Sequence, residues 1–240
     1  MSINSIPILN ERDLVLPFEE SCRPRGSSRV GVEFEHLGLD AVTGRAVPYS
    51  GERGVEAVLK FLAEGKGWIE ESAGGTRYLH RPGGGTVSLE PGGQVELSTE
   101  VALSFDAVRD ARERFLEELR EAGKRFGILW AGLGVHPLAS VDEVPWIPKE
   151  RYQIMREYFV GRGPLAHSMM KRTASIQVSL DYASEEEAAE KMRLAMKSAP
   201  LFVALFANSP VADGKLVGFC CPNCPGEFWA NPEAFRAKLP

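Results

Sequence analysis

From Gly67 to Ser98 the chain is a succession of short strand-like pieces with no stretch long enough for a helix between them. The pieces Gly67–Glu71, Thr76–Leu79, Thr86–Glu90 and Gln94–Ser98 are separated only by Gly74-Gly75, by Pro82-Gly83-Gly84-Gly85 and by Pro91-Gly92-Gly93. Such short glycine-rich breaks join antiparallel neighbours, because a parallel connection needs a crossover of a dozen or more residues. Two further segments alternate with period two. In Arg29–Leu39, Val30, Val32 and Phe34 oppose Gly31, Glu33 and Glu35; in Thr173–Tyr182, Ile176, Val178 and Leu180 oppose Ser175, Gln177, Ser179 and Asp181. Ile128–Val135 reads as an apolar strand. Helical spacing occupies Glu56–Glu64, Ser104–Phe126, about Pro148–Phe159 and Ser184–Lys197. Strands cluster instead of alternating one-for-one with helices, so the expected class is α+β, an antiparallel sheet with flanking helices.

Composition narrows the function classes. The 240 residues carry 28 Lys and Arg against 33 Asp and Glu, a net charge of -5. Neutralising nucleic-acid phosphates requires clustered cations, so no nucleic-acid partner is expected. No run reaches the roughly 18–20 apolar residues of a membrane helix, so no membrane partner is expected either. The N-terminal stretch lacks a basic start followed by an apolar core, and a cytoplasmic location is expected. Oligomeric state is left open.

Four glutamates draw attention. Glu33 and Glu35 lie two apart on one strand, so their carboxylates leave the same face, roughly 6–7 Å apart at the backbone. The pair is either a solvated polar face or two like charges awaiting a cation, and hard oxygen ligands of this type suit magnesium. Glu90 and Glu96 flank the Pro91-Gly92-Gly93 turn. They extend the same choice, between a plain hairpin with exposed acids and a larger oxygen-ligand set.

Five segments in order and register resemble the plant and proteobacterial type of glutamate–cysteine ligase. They are Gly31-Val-Glu-Phe-Glu35, Ser88-Leu-Glu-Pro-Gly-Gly-Gln-Val-Glu-Leu-Ser98, Pro148-Lys-Glu-Arg-Tyr-Gln-Ile-Met155, Thr173-Ala-Ser-Ile-Gln-Val-Ser-Leu-Asp181 and Ala204-Leu-Phe-Ala-Asn-Ser-Pro210. The resemblance covers about Gly31 to Gly218. It implies a sheet related to the glutamine synthetase catalytic fold, with glutamate, cysteine and ATP as substrates and Mg2+ as the cation. It implies Glu33, Glu35, Glu90 and Glu96 as magnesium ligands, Gln177 as a cofactor-site residue facing metal or substrate, and Arg151 as a catalytic clamp on carboxylate or phosphate. Arg151 is otherwise a surface helix residue paired with Glu157 or a nearby acid, and Gln177 otherwise satisfies neighbouring backbone. Tyr152 and Met155 read as core, His136 as structural, and Trp146 as a packing anchor or a wall of the cysteine pocket.

The likeness stops after Gly218-Phe219, where the family continues with a Ser-x-Arg-x-His-x-Trp segment and this chain reads Cys220-Cys-Pro-Asn-Cys224. The expectation is a ligase catalytic domain over residues 1–218, incomplete at its C-terminal end, followed by an aberrant tail over 219–240. Cys221 and Cys224 alone make half of a zinc site. Such a chain is expected to be weakly active or inactive. The alternatives are a ligase for another amine acceptor and a non-catalytic fragment that binds nucleotide or glutamate.

Overall fold

A computed structural model of the chain describes residues 8–73, 76–206, 211–212 and 215–216. Its spine is β1 (Val30–Asp40), an 11-residue strand whose burial alternates from Val30 through Glu35. Along one edge β1 pairs with β5 (Val95–Ser98) and along the other with β7 (Ile176–Leu180); Glu33 and Phe34 are paired on both edges at once. Its second half, Leu37–Asp40, pairs with β6 (Ile128–Ala131). Beyond β5 the sheet continues through β4 (Gly85–Leu89), β3 (Thr76–Arg81) and β2 (Ile69–Ala73). Every pairing in this seven-stranded sheet is antiparallel, as the short glycine turns require.

One face of the sheet is covered by α2 (Val55–Gly65) and α3 (Phe105–Phe126). Val32 and Phe34 of β1, Leu97 of β5, Val87 of β4 and Leu79 of β3 lie in register across this face and are all buried. They meet Val58, Leu59 and Leu62 of α2 and Phe115 and Leu119 of α3 in one core. Each fully buried leucine here contributes about 2 kcal/mol of transfer free energy. Ser104 caps α3 by accepting the Ala107 amide, and Gly127 ends it in the left-handed conformation, with φ at 69°.

The remaining helices are α1 (Glu11–Glu20), α4 (Glu150–Tyr158), α5 (Ala166–Arg172) and α6 (Glu185–Phe206). The α+β class and the antiparallel sheet agree with the sequence reading, whereas several boundaries differ. β6 is four residues long because Gly132 and Gly134 interrupt it; Val135 then forms only an isolated bridge to Thr173. α6 runs beyond Lys197 to Phe206 with Pro200 inside it. β7 alternates as expected, yet its apolar side is not covered: Ile176, Val178 and Leu180 are 67%, 52% and 56% exposed. The Cys221 and Cys224 pair, the 218/219 boundary and most of the Ala204–Pro210 segment lie outside the described residues.

Candidate active site

The face of the sheet opposite α2 and α3 is polar, and its order follows from strand register. One row runs Ser88, Glu96, Glu35 across β4, β5 and β1. The next runs His80, Thr86, Ser98, Glu33, Gln177 across β3, β4, β5, β1 and β7. Since side chains directly opposite each other share a face, Glu33, Glu35, Glu96 and Gln177 project together. Glu90 follows β4 at the same parity as Ser88, and its amide donates to the Gln94 carbonyl at 3.0 Å, which closes the turn between β4 and β5. The acids stop where β1 turns apolar on this side, at Leu37 and Leu39, which pack with Ala131 and Leu133.

Most of these carboxylates are held by neutral donors. Glu35 accepts from the Ser175 amide (2.9 Å), the Ser175 hydroxyl (3.0 Å) and the Gln177 amide nitrogen (3.1 Å). Glu96, 9% exposed, accepts from Ser98 Oγ at 3.0 Å and Ser88 Oγ at 3.2 Å. The Tyr152 hydroxyl sits 2.9 Å from the Leu89 carbonyl and 3.3 Å from Glu90, so its single proton serves one or the other. Glu33 has no side-chain hydrogen-bond donor among the described residues.

Electrostatics mark the same cluster. The Glu33 carboxyl is raised above its ordinary value by partial burial and then by the charges of Glu96 and Glu35. Glu90 is raised by burial, then by Glu96 and Glu35, against the opposing pull of Lys149. Glu35 is also raised, burial and Glu96 outweighing its three hydrogen bonds. The Tyr152 phenol is pushed up to about 12 by burial and the Glu90 charge. Like charges gathered on one face hold their protons more tightly, and a cation among them reverses that preference.

Arg151 lies at the rim. It is exposed on α4, its guanidinium donates to the Tyr152 hydroxyl oxygen at 3.5 Å, and it forms no ion pair with Glu157 or any other acid among the described residues. It therefore stands one side chain away from Glu90, with Tyr152 between them. Lys149, at the N-cap of α4, has its ammonium 4.9 Å from the centre of the Tyr152 ring. Burial and Arg151 lower its pKa, while Glu90 and Glu96 oppose that shift.

Sequence reasoning missed Lys149 and the hydroxyls of Ser88, Ser98 and Ser175. The serines occupy the same parity as the glutamates, a signal available along each strand; Lys149 carries no such signal. Tyr152 is core, as expected, with 1% exposure, and it also contacts the site. His136 is structural: it is buried, and its Nδ1 accepts from the Ala139 amide at 3.0 Å.

The residues suit magnesium in kind, being hard oxygen donors of one charge sign on one face. As the side chains stand, no three His, Cys, Asp or Glu groups among the described residues converge closely enough to hold an ion. Glu35, Glu90 and Glu96 instead turn toward Ser88, Ser98, Ser175, Gln177 and Tyr152.

Comparison with known proteins places this face in a family. The profile of glutamate–cysteine ligase family 2 matches residues 29–220, which span β1, β5, α4 and β7. Glutamate–cysteine ligase A, chloroplastic, of Oryza sativa subsp. japonica is 34% identical over 231 residues, 96% of this chain and 46% of the rice protein. Glutamate–cysteine ligase, chloroplastic, of Arabidopsis thaliana is 33% identical over 231 residues, 96% of this chain and 43% of that protein. The chain thus spans somewhat under half the length of these relatives. With the match running through every strand that carries a site carboxylate, the chain belongs to glutamate–cysteine ligase family 2.

Proposed function

We propose that this polar face serves the ATP-dependent joining of the glutamate γ-carboxylate to the amine of cysteine, the first step of glutathione biosynthesis. The observation carrying this reading is the placement of Glu33, Glu35, Glu90 and Glu96 on one sheet face, with Gln177 among them and Arg151 and Lys149 at the edge. A γ-carboxylate oxygen attacks the terminal phosphorus of ATP, the new O–P bond replacing the bridging bond to ADP. The cysteine amine then attacks the acyl carbon, the C–O bond breaks, inorganic phosphate departs and the nitrogen loses a proton.

Glu33, Glu35, Glu90 and Glu96 are the groups that would hold Mg2+, which when bound neutralises charge on the transferring phosphoryl group. Gln177 and Ser175 orient Glu35, and the Ser88 and Ser98 hydroxyls orient Glu96. Arg151 and Lys149 meet negative charge at the margin, where a planar fork and a point cation are complementary donors for oxyanions. Along β7 every residue is exposed, and among the described residues β1 is the one strand paired with it.

The test is calorimetric titration of the 240-residue chain with a non-hydrolysable ATP analogue, with and without Mg2+. The expected result is binding that requires Mg2+ and weakens about tenfold or more in Glu96→Gln, the loss of one charge-assisted contact at roughly 1.4 kcal/mol per decade. Binding indifferent to both Mg2+ and Glu96 would remove the face from the reaction. Assay of γ-glutamylcysteine formation from glutamate, cysteine and ATP, with other amines as competitors, then reads turnover and acceptor choice.

A further inference from the structure

Gln94 and Gly92 of the β4–β5 turn, His136 of the loop after β6 and Lys171 of α5 line a small void of about 10 Å³. That is room for one water-sized particle. His136 and Lys171 are nearly fully buried, 2% and 3% exposed. The His136 ring is fixed by its surroundings. Its Nδ1 accepts from the Ala139 amide at 3.0 Å and lies 3.4 Å from the Leu138 amide, so Nδ1 carries no proton. Burial and then the Arg172 charge hold the ring neutral, with its pKa lowered to about 4. The single ring proton is therefore on Nε2, which is buried and has no hydrogen-bond partner among the described residues. The Lys171 ammonium donates to the Val141 carbonyl at 2.5 Å and lies 5.0 Å from the centre of the Trp146 ring. Asp142 favours its charge from a distance but forms no ion pair with it, and Arg156 opposes that charge. Arg172, which donates to the His136 carbonyl, has a buried Nε that also lacks a partner among the described residues. Both orphaned atoms are donors, and the charge around them is positive.

We infer that this void holds one chloride ion, which accepts from His136 Nε2–H and balances the Lys171 charge. A buried ammonium without a paired carboxylate is costly, and an anion beside it offsets that cost. A metal cation would meet a donor and a like charge. Phosphate, sulfate and carboxylates exceed the space. Water would take the Nε2 proton and leave the lysine charge uncompensated. Chloride is slightly larger than water, and the flexible lysine stem is the wall that yields. Because Gly92 and Gln94 belong to the turn between Glu90 and Glu96, the halide fastens that turn to α5 and to the loop after β6. This assignment is independent of the ligation reading: it concerns what holds the turn in place, whatever the carboxylates do.

The experiment melts the full chain at constant ionic strength while sodium gluconate is replaced by sodium chloride. Gluconate is too large for the void and controls for screening. The expected result is a rise of roughly 3–6 °C between zero and about 100 mM chloride, the shift that a dissociation constant near 10 mM produces. Bromide should act in the same way. Chloride-35 NMR of the wild-type chain should show excess line broadening that bromide displaces. His136→Asn keeps an acceptor for the Ala139 amide and loses the Nε2–H; Lys171→Met keeps the stem and loses the charge. Each is expected to reduce both the melting response and the broadening at least threefold. Equal melting of the wild type in chloride and gluconate overturns the inference, and so does broadening that bromide leaves unchanged; neither result depends on a variant that folds. A full chloride response in Lys171→Met or His136→Asn would place the halide elsewhere and overturn it as well. So would a bromide-soaked crystal with an ordered water between His136 and Lys171 and no anomalous peak there.

Discussion

Glu33, Glu35 and Glu90 each hold a proton more tightly in the folded chain than their ordinary value of 4.5, because burial and neighbouring carboxylates disfavour the charge. Their ionisation therefore costs the folded state. This cost is absent below about pH 4.5, grows as pH rises through the raised values and is constant above them. Glu33 is the one to alter, since no donor is orphaned when its charge goes. In a chelator, Glu33→Gln is expected to melt about 1–2 °C above wild type at pH 7.5 and level with it at pH 4, a modest gain because the group is only partly buried. Added Mg2+ should raise the wild type more than the variant. A melting difference independent of pH would show that repulsion at Glu33 is not felt. The acids themselves were legible in the sequence, because period two sends Glu33 and Glu35 to one face whatever the fold. Lys149 was not: its distance to Glu90 depends on which helix end arrives alongside, and no local pattern encodes that.

At the scale of elements, the turn between β4 and β5 shows how the site is fastened. Gln94 is buried; its amide nitrogen donates to the Thr173 carbonyl at 2.6 Å and the Met170 carbonyl at 3.2 Å, and its oxygen accepts from the Gly92 amide at 2.8 Å. This one side chain ties the hairpin that carries Glu90 and Glu96 to the segment leading into β7. The approach is so close that a Cβ on Gly92 would lie 2.1 Å from the Lys171 carbonyl oxygen. Gly92→Ala is accordingly expected to destabilise the chain by about 2 kcal/mol, the scale of overpacking against backbone that cannot give way. Denaturant midpoints at constant slope measure it, and a variant as stable as wild type would mean the hairpin is not pressed on α5. The glycines announced the turn in the sequence, while the tie through Gln94 did not appear there. Two helices escaped the sequence reading for related reasons. α1 contains Pro17, which argues against a helix running through it, although Asn10 and Asp13 form a capping box; its apolar side chains Leu14, Val15 and Phe18 stay exposed. α5 is seven residues long, two turns at most, too short for a period to show.

At the scale of the whole molecule, the helix layer among the described residues ends at β1 while the apolar face of the sheet does not. Val30, Val32 and Phe34 are buried under helices; their cross-strand neighbours Leu180, Val178 and Ile176 continue the same face and are more than half exposed. Leu103 and Phe105, at the start of α3, and Met192 and Met196 of α6 add further exposed apolar surface. Contiguous apolar surface beside an open strand edge is an association surface, and its free energy scales with the area two copies would remove from water. The 240-residue chain is therefore expected to self-associate, its sedimentation-average mass rising with concentration. The double variant Val178→Thr/Leu180→Thr should shift that rise to higher concentration at little cost to stability, within about 0.5 kcal/mol per site, because both positions are already hydrated. Val32→Thr makes the same chemical change under the helices and should cost about 1–3 kcal/mol through a buried hydroxyl without a partner. Equal costs at Val32 and Val178 would mean that the β7 face is covered in solution by something that buries it as well as α2 and α3 bury β1. Unequal costs with unchanged association would move the contact to another surface, with the apolar residues of α6 the next to be replaced.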